Sequence, residues 1–156
     1  MVLSPDAEVV ACGSQDKSVH FWRRSTGADS MMSGYPGKPS SLAFDSTGTF
    51  LATGGGESVL VWSFAGGGPE GTRPGVLELH AERITALAFA PQGRRLASGS
   101  RDSAVVVWSL REDGDGGPIG VALLPDLVSR VCWRPDGRAL AALDAQGGVT
   151  AWRLKS

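Results

Sequence analysis

Residues 80–108 read HAERITALAFAPQGRRLASGSRDSAVVVW, and this stretch decides the fold. It holds three short apolar runs, Ile84 to Ala90, Arg95 to Ser100 and Ala104 to Leu110, each bounded by turn formers. The links Pro91-Gln92-Gly93 and Ser100-Arg101-Asp102-Ser103 are short enough to force antiparallel hairpins, so the stretch predicts a three-strand meander. A fourth apolar segment precedes each unit, at Val76-Leu77-Glu78-Leu79 and at Ile119-Gly120-Val121-Ala122-Leu123. These segments follow the glycine-rich loops Gly66-Gly67-Gly68-Pro69 and Asp113-Gly114-Asp115-Gly116-Gly117, the second of which is expected to be an exposed, flexible linker between units.

The unit repeats. Trp22, Trp62, Trp108 and Trp152 are separated by 40, 46 and 44 residues, with Trp133 out of phase. Pro5, Pro91 and Pro135 each stand 17 residues before a tryptophan; Gly48, Gly93 and Gly137 share one turn position, which Ala7 fills in the first copy. The repeats run approximately over 1–27, 28–66, 67–112 and 113–156 of a single domain. Four strands in about forty residues is the dimension of a propeller blade, and no window carries sustained helical spacing.

His80, Ala90-Pro91-Gln92-Gly93, Leu96-Ala97-Ser98-Gly99-Ser100-Arg101-Asp102 and Val105-Val106-Val107-Trp108 together resemble a WD-repeat β-propeller unit. The first repeat keeps Gly13-Ser14-Gln15-Asp16 and Trp22. The second keeps Thr53-Gly54-Gly55 and Trp62, and the fourth keeps Trp133-Arg134-Pro135-Asp136-Gly137 and Trp152, with Gln146 at the aspartate position. Ser18-Val19-His20-Phe21-Trp22, Ser33-Gly34-Tyr35-Pro36-Gly37 and Pro69-Glu70-Gly71-Thr72-Arg73-Pro74 are similar to the later part of a bacterial group of WD-repeat proteins. The resemblance implies an all-β WD-repeat β-propeller of about four four-stranded antiparallel blades forming a half-ring. It also implies a non-catalytic scaffold that binds a protein or peptide.

The same resemblance assigns His80, Ser98, Asp102 and Trp108 to a structural network that ties one blade together. Their rival reading is a hydrolytic triad of His80, Ser98 and Asp102, since a base oriented by a carboxylate can activate a serine hydroxyl. Tyr35 and Leu124 stand where His80 does, and Cys12 where Ser98 does, so the other three blades are expected to rely on packing alone. Gln15, Lys38, Arg83, Arg101 and Arg130 fall at strand entries or tight turns, which in WD-repeat proteins look out from the partner-binding face.

Fifteen basic and sixteen acidic residues nearly cancel, which argues against nucleic acid as a partner. Nothing approaches eighteen consecutive apolar residues, so no membrane span is expected, and the first residues lack signal-peptide character; a cytoplasmic protein is expected. Cys12 and Cys132, each inside an apolar run, are expected to be buried free thiols, and no metal or cofactor is expected. Gly54-Gly55-Gly56 precedes a strand rather than a helix and so does not suit a phosphate loop. Only Met1-Val2-Leu3 stands before Ser4-Pro5, and no outer strand is expected after Trp152-Arg153-Leu154-Lys155-Ser156. The apolar side faces of the first and last blades would then be open, at Val9, Val10, Phe21 and Trp22 and at Leu140, Leu143 and Trp152. The expectation is a homodimer that closes the ring, with a purely structural arc of a larger propeller as the alternative.

Overall fold

The computed structural model describes residues 1–66 and 68–154; Gly67 of the first glycine-rich loop, and Lys155 and Ser156 after the last strand, lie outside the described residues. The described residues form four antiparallel sheets. Blade 1 contains β1 (Val2–Leu3), β2 (Val9–Gly13), β3 (Val19–Arg23) and β4 (Asp29–Met32). Blade 2 contains β5 (Ser41–Phe44), β6 (Phe50–Gly54), β7 (Val59–Ser63) and β8 (Gly75–Leu77). Blade 3 contains β9 (Ile84–Phe89), β10 (Arg95–Ser100), β11 (Ala104–Leu110) and β12 (Gly116–Leu123). Blade 4 contains β13 (Val128–Trp133), β14 (Ala139–Asp144) and β15 (Val149–Arg153). Within each sheet the spatial order follows the chain order, so every blade is a meander. Blade 4 has three strands among the described residues.

Blades and sequence repeats are out of step by one strand. The segment that opens a repeat, β8 or β12, pairs with the third strand of the blade before it: Val61↔Gly75 and Val107↔Gly120. Residues 113–117 are therefore not a linker between blades. They form the turn from β11 into β12, with Gly114 buried near Phe50 and Val61 of blade 2. The turn after the first strand of each blade carries a left-handed residue at one fixed place: Gly48 (φ 76), Gly93 (φ 74), Gly137 (φ 72), and Ala7 (φ 60) in the first copy.

Period-two alternation gives each blade two apolar faces, and these stack face to face. Val9, Ala11, Val19 and Phe21 of blade 1 bury against Leu51 and Trp62 of blade 2. Ala52, Val59 and Val61 of blade 2 bury against Leu96, Val106 and Trp108 of blade 3. Ala97, Val105 and Val107 of blade 3 bury against Val131, Trp133 and Leu140 of blade 4. Val9, Phe21 and Leu140, and the partly buried Trp152, thus pack into these joints, contrary to the expectation that they lie on open side faces; each sits on the strand face that already has a neighbour. The cysteines also differ from expectation. Cys12 is half-buried and Cys132 exposed, because they occupy the alternate positions that point away from the joints.

Candidate functional site

His80 enters just before β9, Ser98 lies in mid-β10, Asp102 lies in the turn to β11 and Trp108 lies on β11. Hairpin register sets Trp108 opposite Leu96, two residues from Ser98 along β10. Trp108 Nε1 donates to Ser98 Oγ at 2.8 Å, and His80 Nε2 lies 2.7 Å from the same oxygen. His80 Nδ1 lies 3.2 Å from Asp102 Oδ2. The carboxylate also accepts from the Ala81 and Ala104 backbone N–H groups at 2.8 and 2.9 Å. Burial alone would raise the Asp102 pKa, but those two N–H donors and His80 outweigh it, and Asp102 sits below the ordinary carboxylate value. Burial lowers the His80 pKa more than Asp102 raises it, so the imidazole is neutral near pH 7. A neutral ring requires Nδ1–H to donate to Asp102 and Nε2 to accept from the Ser98 hydroxyl, giving one continuous chain of donors.

This arrangement has the connectivity of a Ser-His-Asp relay without its access. Ser98 is fully buried, and its oxygen is already held by the indole N–H, so a substrate carbonyl cannot approach it. The four residues span the strand entry, the middle strand, the turn and the third strand of one blade.

Blade 2 carries a counterpart that the sequence reading missed. Trp62 Nε1 donates to Tyr35 Oη at 2.8 Å, Tyr35 Oη lies 2.7 Å from Thr53 Oγ1, and Thr53 donates to the Leu60 carbonyl at 3.3 Å. Blade 2 therefore does not rely on packing alone: the phenol spans the distance that imidazole and serine cover in blade 3. Blade 4 holds its turn with Asp144, which accepts from the Gln146 and Gly148 N–H groups at 2.8 and 3.0 Å, while Gln146 itself donates to Asp126 at 2.9 Å. The out-of-phase Trp133 crosses a joint, its Nε1 donating to the Ala88 carbonyl at 2.8 Å. The signals for these were a tyrosine and a threonine at equivalent repeat positions, and an aspartate beside Ala-Gln-Gly-Gly.

The candidate partner-face residues Gln15, Lys38, Arg83, Arg101 and Arg130 are all exposed. Three of them are brought together: Arg83 reaches across the joint to donate to the Lys38 carbonyl at 2.8 Å, and the Arg101 N–H donates to the Arg83 carbonyl at 3.0 Å. Gln15 lies on the β2–β3 turn, outside that set. Arg130 lines a cavity of about 380 Å³ with Ser40, Thr85 and Ser129, where the innermost strands face one another. Among the described residues no group of three or more His, Cys, Asp or Glu could hold a metal ion, and no helix is long and apolar enough to cross a membrane.

The model of the WD domain, G-beta repeat, matches residues 1–23, 30–63 and 71–109. This chain belongs to the WD40 family. The WD40 chain is 31% identical over 118 residues to Actin-interacting protein 1 of Caenorhabditis elegans, a match covering 74% of this chain and 19% of that protein. It is 33% identical over 111 residues to Protein transport protein SEC13 homolog A of Arabidopsis thaliana, covering 66% of this chain and 36% of that one. The WD40 chain thus spans about a fifth to a third of those relatives. Among solved structures it superposes on a chain of the Mitotic Checkpoint Complex with a TM-score of 0.82 at 20% identity, covering 99% of this chain and 48% of the other. It superposes on U3-55K with a TM-score of 0.80, covering 98% and 47%. These likenesses bear on the fold: the four blades match about half the length of each of those chains.

Proposed function

We propose that this chain is a non-catalytic scaffold that holds a protein or peptide partner on the face bearing Lys38, Arg83 and Arg101, and that two copies complete one ring. The observation that carries the first part is the closed state of the relay: His80 and Ser98 are consumed by hydrogen bonds inside the sheet, so the triad-like group supports the blade and leaves the exposed loops to do the binding. The relatives named above are called actin-interacting and protein transport proteins, which agrees with an interaction role. A cytoplasmic site is supported by two unpaired thiols, which suit a reducing compartment.

Affinity capture from a bacterial lysate with the wild-type chain and with a Lys38→Glu/Arg101→Glu variant, read by mass spectrometry, tests the binding face. The reading expects a protein set retained by the wild type and lost by the variant. Identical sets would remove the binding role from this face. Serine-dependent ester or peptide hydrolysis, abolished by Ser98→Ala, would overturn the non-catalytic reading.

A further inference from the structure

We infer that a cavity between the link entering blade 2 and that blade's outer strands takes one leucine-sized aliphatic side chain, with a lysine or arginine beside it, from an extended segment of the protein partner. This rests on the scaffold reading and deepens it by naming what the partner presents. The cavity holds about 450 Å³, within the range of about 300–1,000 Å³ typical of ligand pockets. Its apolar walls are Tyr35, Pro36, Leu60 and Val76, and the backbone of Gly34, Gly55 and Gly56 lines another side. Leu60 on β7 pairs with Val76 on β8, and Val76 is 45% exposed.

The repeat itself shows which side chain is missing. Tyr35 stands where His80 does, so Gly34 matches Leu79; counted from Trp62 and Trp108, Ser58 matches Ala104 and Leu60 matches Val106. In blade 3, which the chain enters through Leu79-His80, Ala104 and Val106 are 9% and 0% exposed. In blade 2, which the chain enters through Gly34-Tyr35, Ser58 and Leu60 are only half-buried. A Cβ added at Gly34 would meet nothing within 4 Å, so the space beside it is open. Gly34 also sits at φ 99, where a side chain from the chain itself is disfavoured. An apolar group from outside would therefore fill the space that blade 2 leaves.

The walls are preformed. In blade 3 the Asp102 carboxylate accepts from the Ala81 N–H. In blade 2 the matching residues are Gly56 and Pro36, so carboxylate and N–H are lost together, and the proline ring takes the vacated room: a Cβ on Gly56 would stand 2.5 Å from Pro36 Cγ. A Cβ on Gly55 would stand 2.9 Å from Tyr35 Cδ1, and Tyr35 is itself fixed by Trp62 and Thr53. Such a pocket loses little to ordering when it is filled. Charge sets the neighbour of the anchor. Glu57 alone is charged among the described lining residues; it is exposed, and its carboxylate holds no hydrogen bond or ion pair among the described residues. A cation next to the aliphatic side chain would meet it. Lys38 stands in the same link as Tyr35 and Pro36, so the cavity adjoins the proposed partner face.

The test titrates three capped peptides, Gly-Leu-Lys-Gly, Gly-Ala-Lys-Gly and Gly-Leu-Glu-Gly, at millimolar concentration onto the isotope-labelled full chain, read by amide chemical shifts. The inference predicts saturating shifts at the Gly34, Gly55 and Gly56 amides with the leucine-lysine peptide. The alanine peptide should bind about tenfold more weakly, through its lost apolar contact, and the glutamate peptide more weakly through repulsion. Val76→Asp, on an exposed strand position, should abolish the shifts, and Glu57→Lys should reverse the charge preference. The peptide comparison on the wild-type chain needs no variant to fold. Shifts that do not saturate at these glycines, equal affinity for the alanine peptide, or a charge preference unmoved by Glu57→Lys overturns the inference. Those results leave the scaffold reading standing if the Lys38→Glu/Arg101→Glu variant still loses its captured proteins, whereas identical captured sets with intact peptide binding remove the Lys38–Arg101 face and keep the cavity.

Discussion

Ser98 Oγ is the junction of blade 3: it accepts from Trp108 and donates to His80, which hands the chain on to Asp102. Trp108→Ala removes a fully buried ring and strands the Ser98 oxygen, and about 3–5 kcal/mol of stability should go with it in chemical denaturation. Asp102→Ala leaves His80 Nδ1 and two backbone N–H groups without an acceptor, and about 1–3 kcal/mol is expected. Equal denaturation midpoints for wild type and both variants would contradict the network. The same residues set an acid limit. Burial holds His80 below its ordinary 6.5, so under about that pH the unfolded chain binds a proton the folded one refuses, and stability falls as pH falls. Asp102, held below 3.8 despite its burial, adds a second loss at lower pH. His80→Gln should flatten the upper limb in melting temperatures taken from pH 7.5 to 5; an unchanged slope would assign it elsewhere. At Ala7 the left-handed backbone carries a Cβ that Gly48, Gly93 and Gly137 avoid, and Ala7→Gly should stabilise by about 1 kcal/mol.

Between elements, what matters is how closely one blade's middle strand meets the next blade's inner strand. Gly99 lies so near Val128 that Gly99→Ala should cost about 1–3 kcal/mol through overpacking, whereas Gly93→Ala, with nothing within 4 Å, should cost only its left-handed backbone. Comparing the two melts separates crowding from conformation. The strands were legible because turn formers at fixed offsets from tryptophan leave few alternatives: residues 95–100 and 104–110 are strands as their pattern predicts. The assignment of outer strands was not legible as far as the repeat boundaries go, because β8 and β12 open a sequence unit while hydrogen-bonding into the blade before. The Tyr35–Thr53–Trp62 bridge escaped because it uses a different chemical solution, a phenol in place of imidazole and serine. The half-burial of Cys12 and the exposure of Cys132 escaped because an apolar run does not say which of its two faces has a neighbour.

At the scale of the molecule, each of the three joints repeats one pattern, and among the described residues Trp22 of blade 1 and Val149 of blade 4 stay exposed. Contiguous apolar surface of this kind marks an interaction site, and the proposed second copy would cover it. Light scattering from the wild-type chain at micromolar concentration tests this most directly. The account predicts a mass near twice 16.2 kDa; a mass near 16.2 kDa with a single cooperative unfolding transition would contradict it.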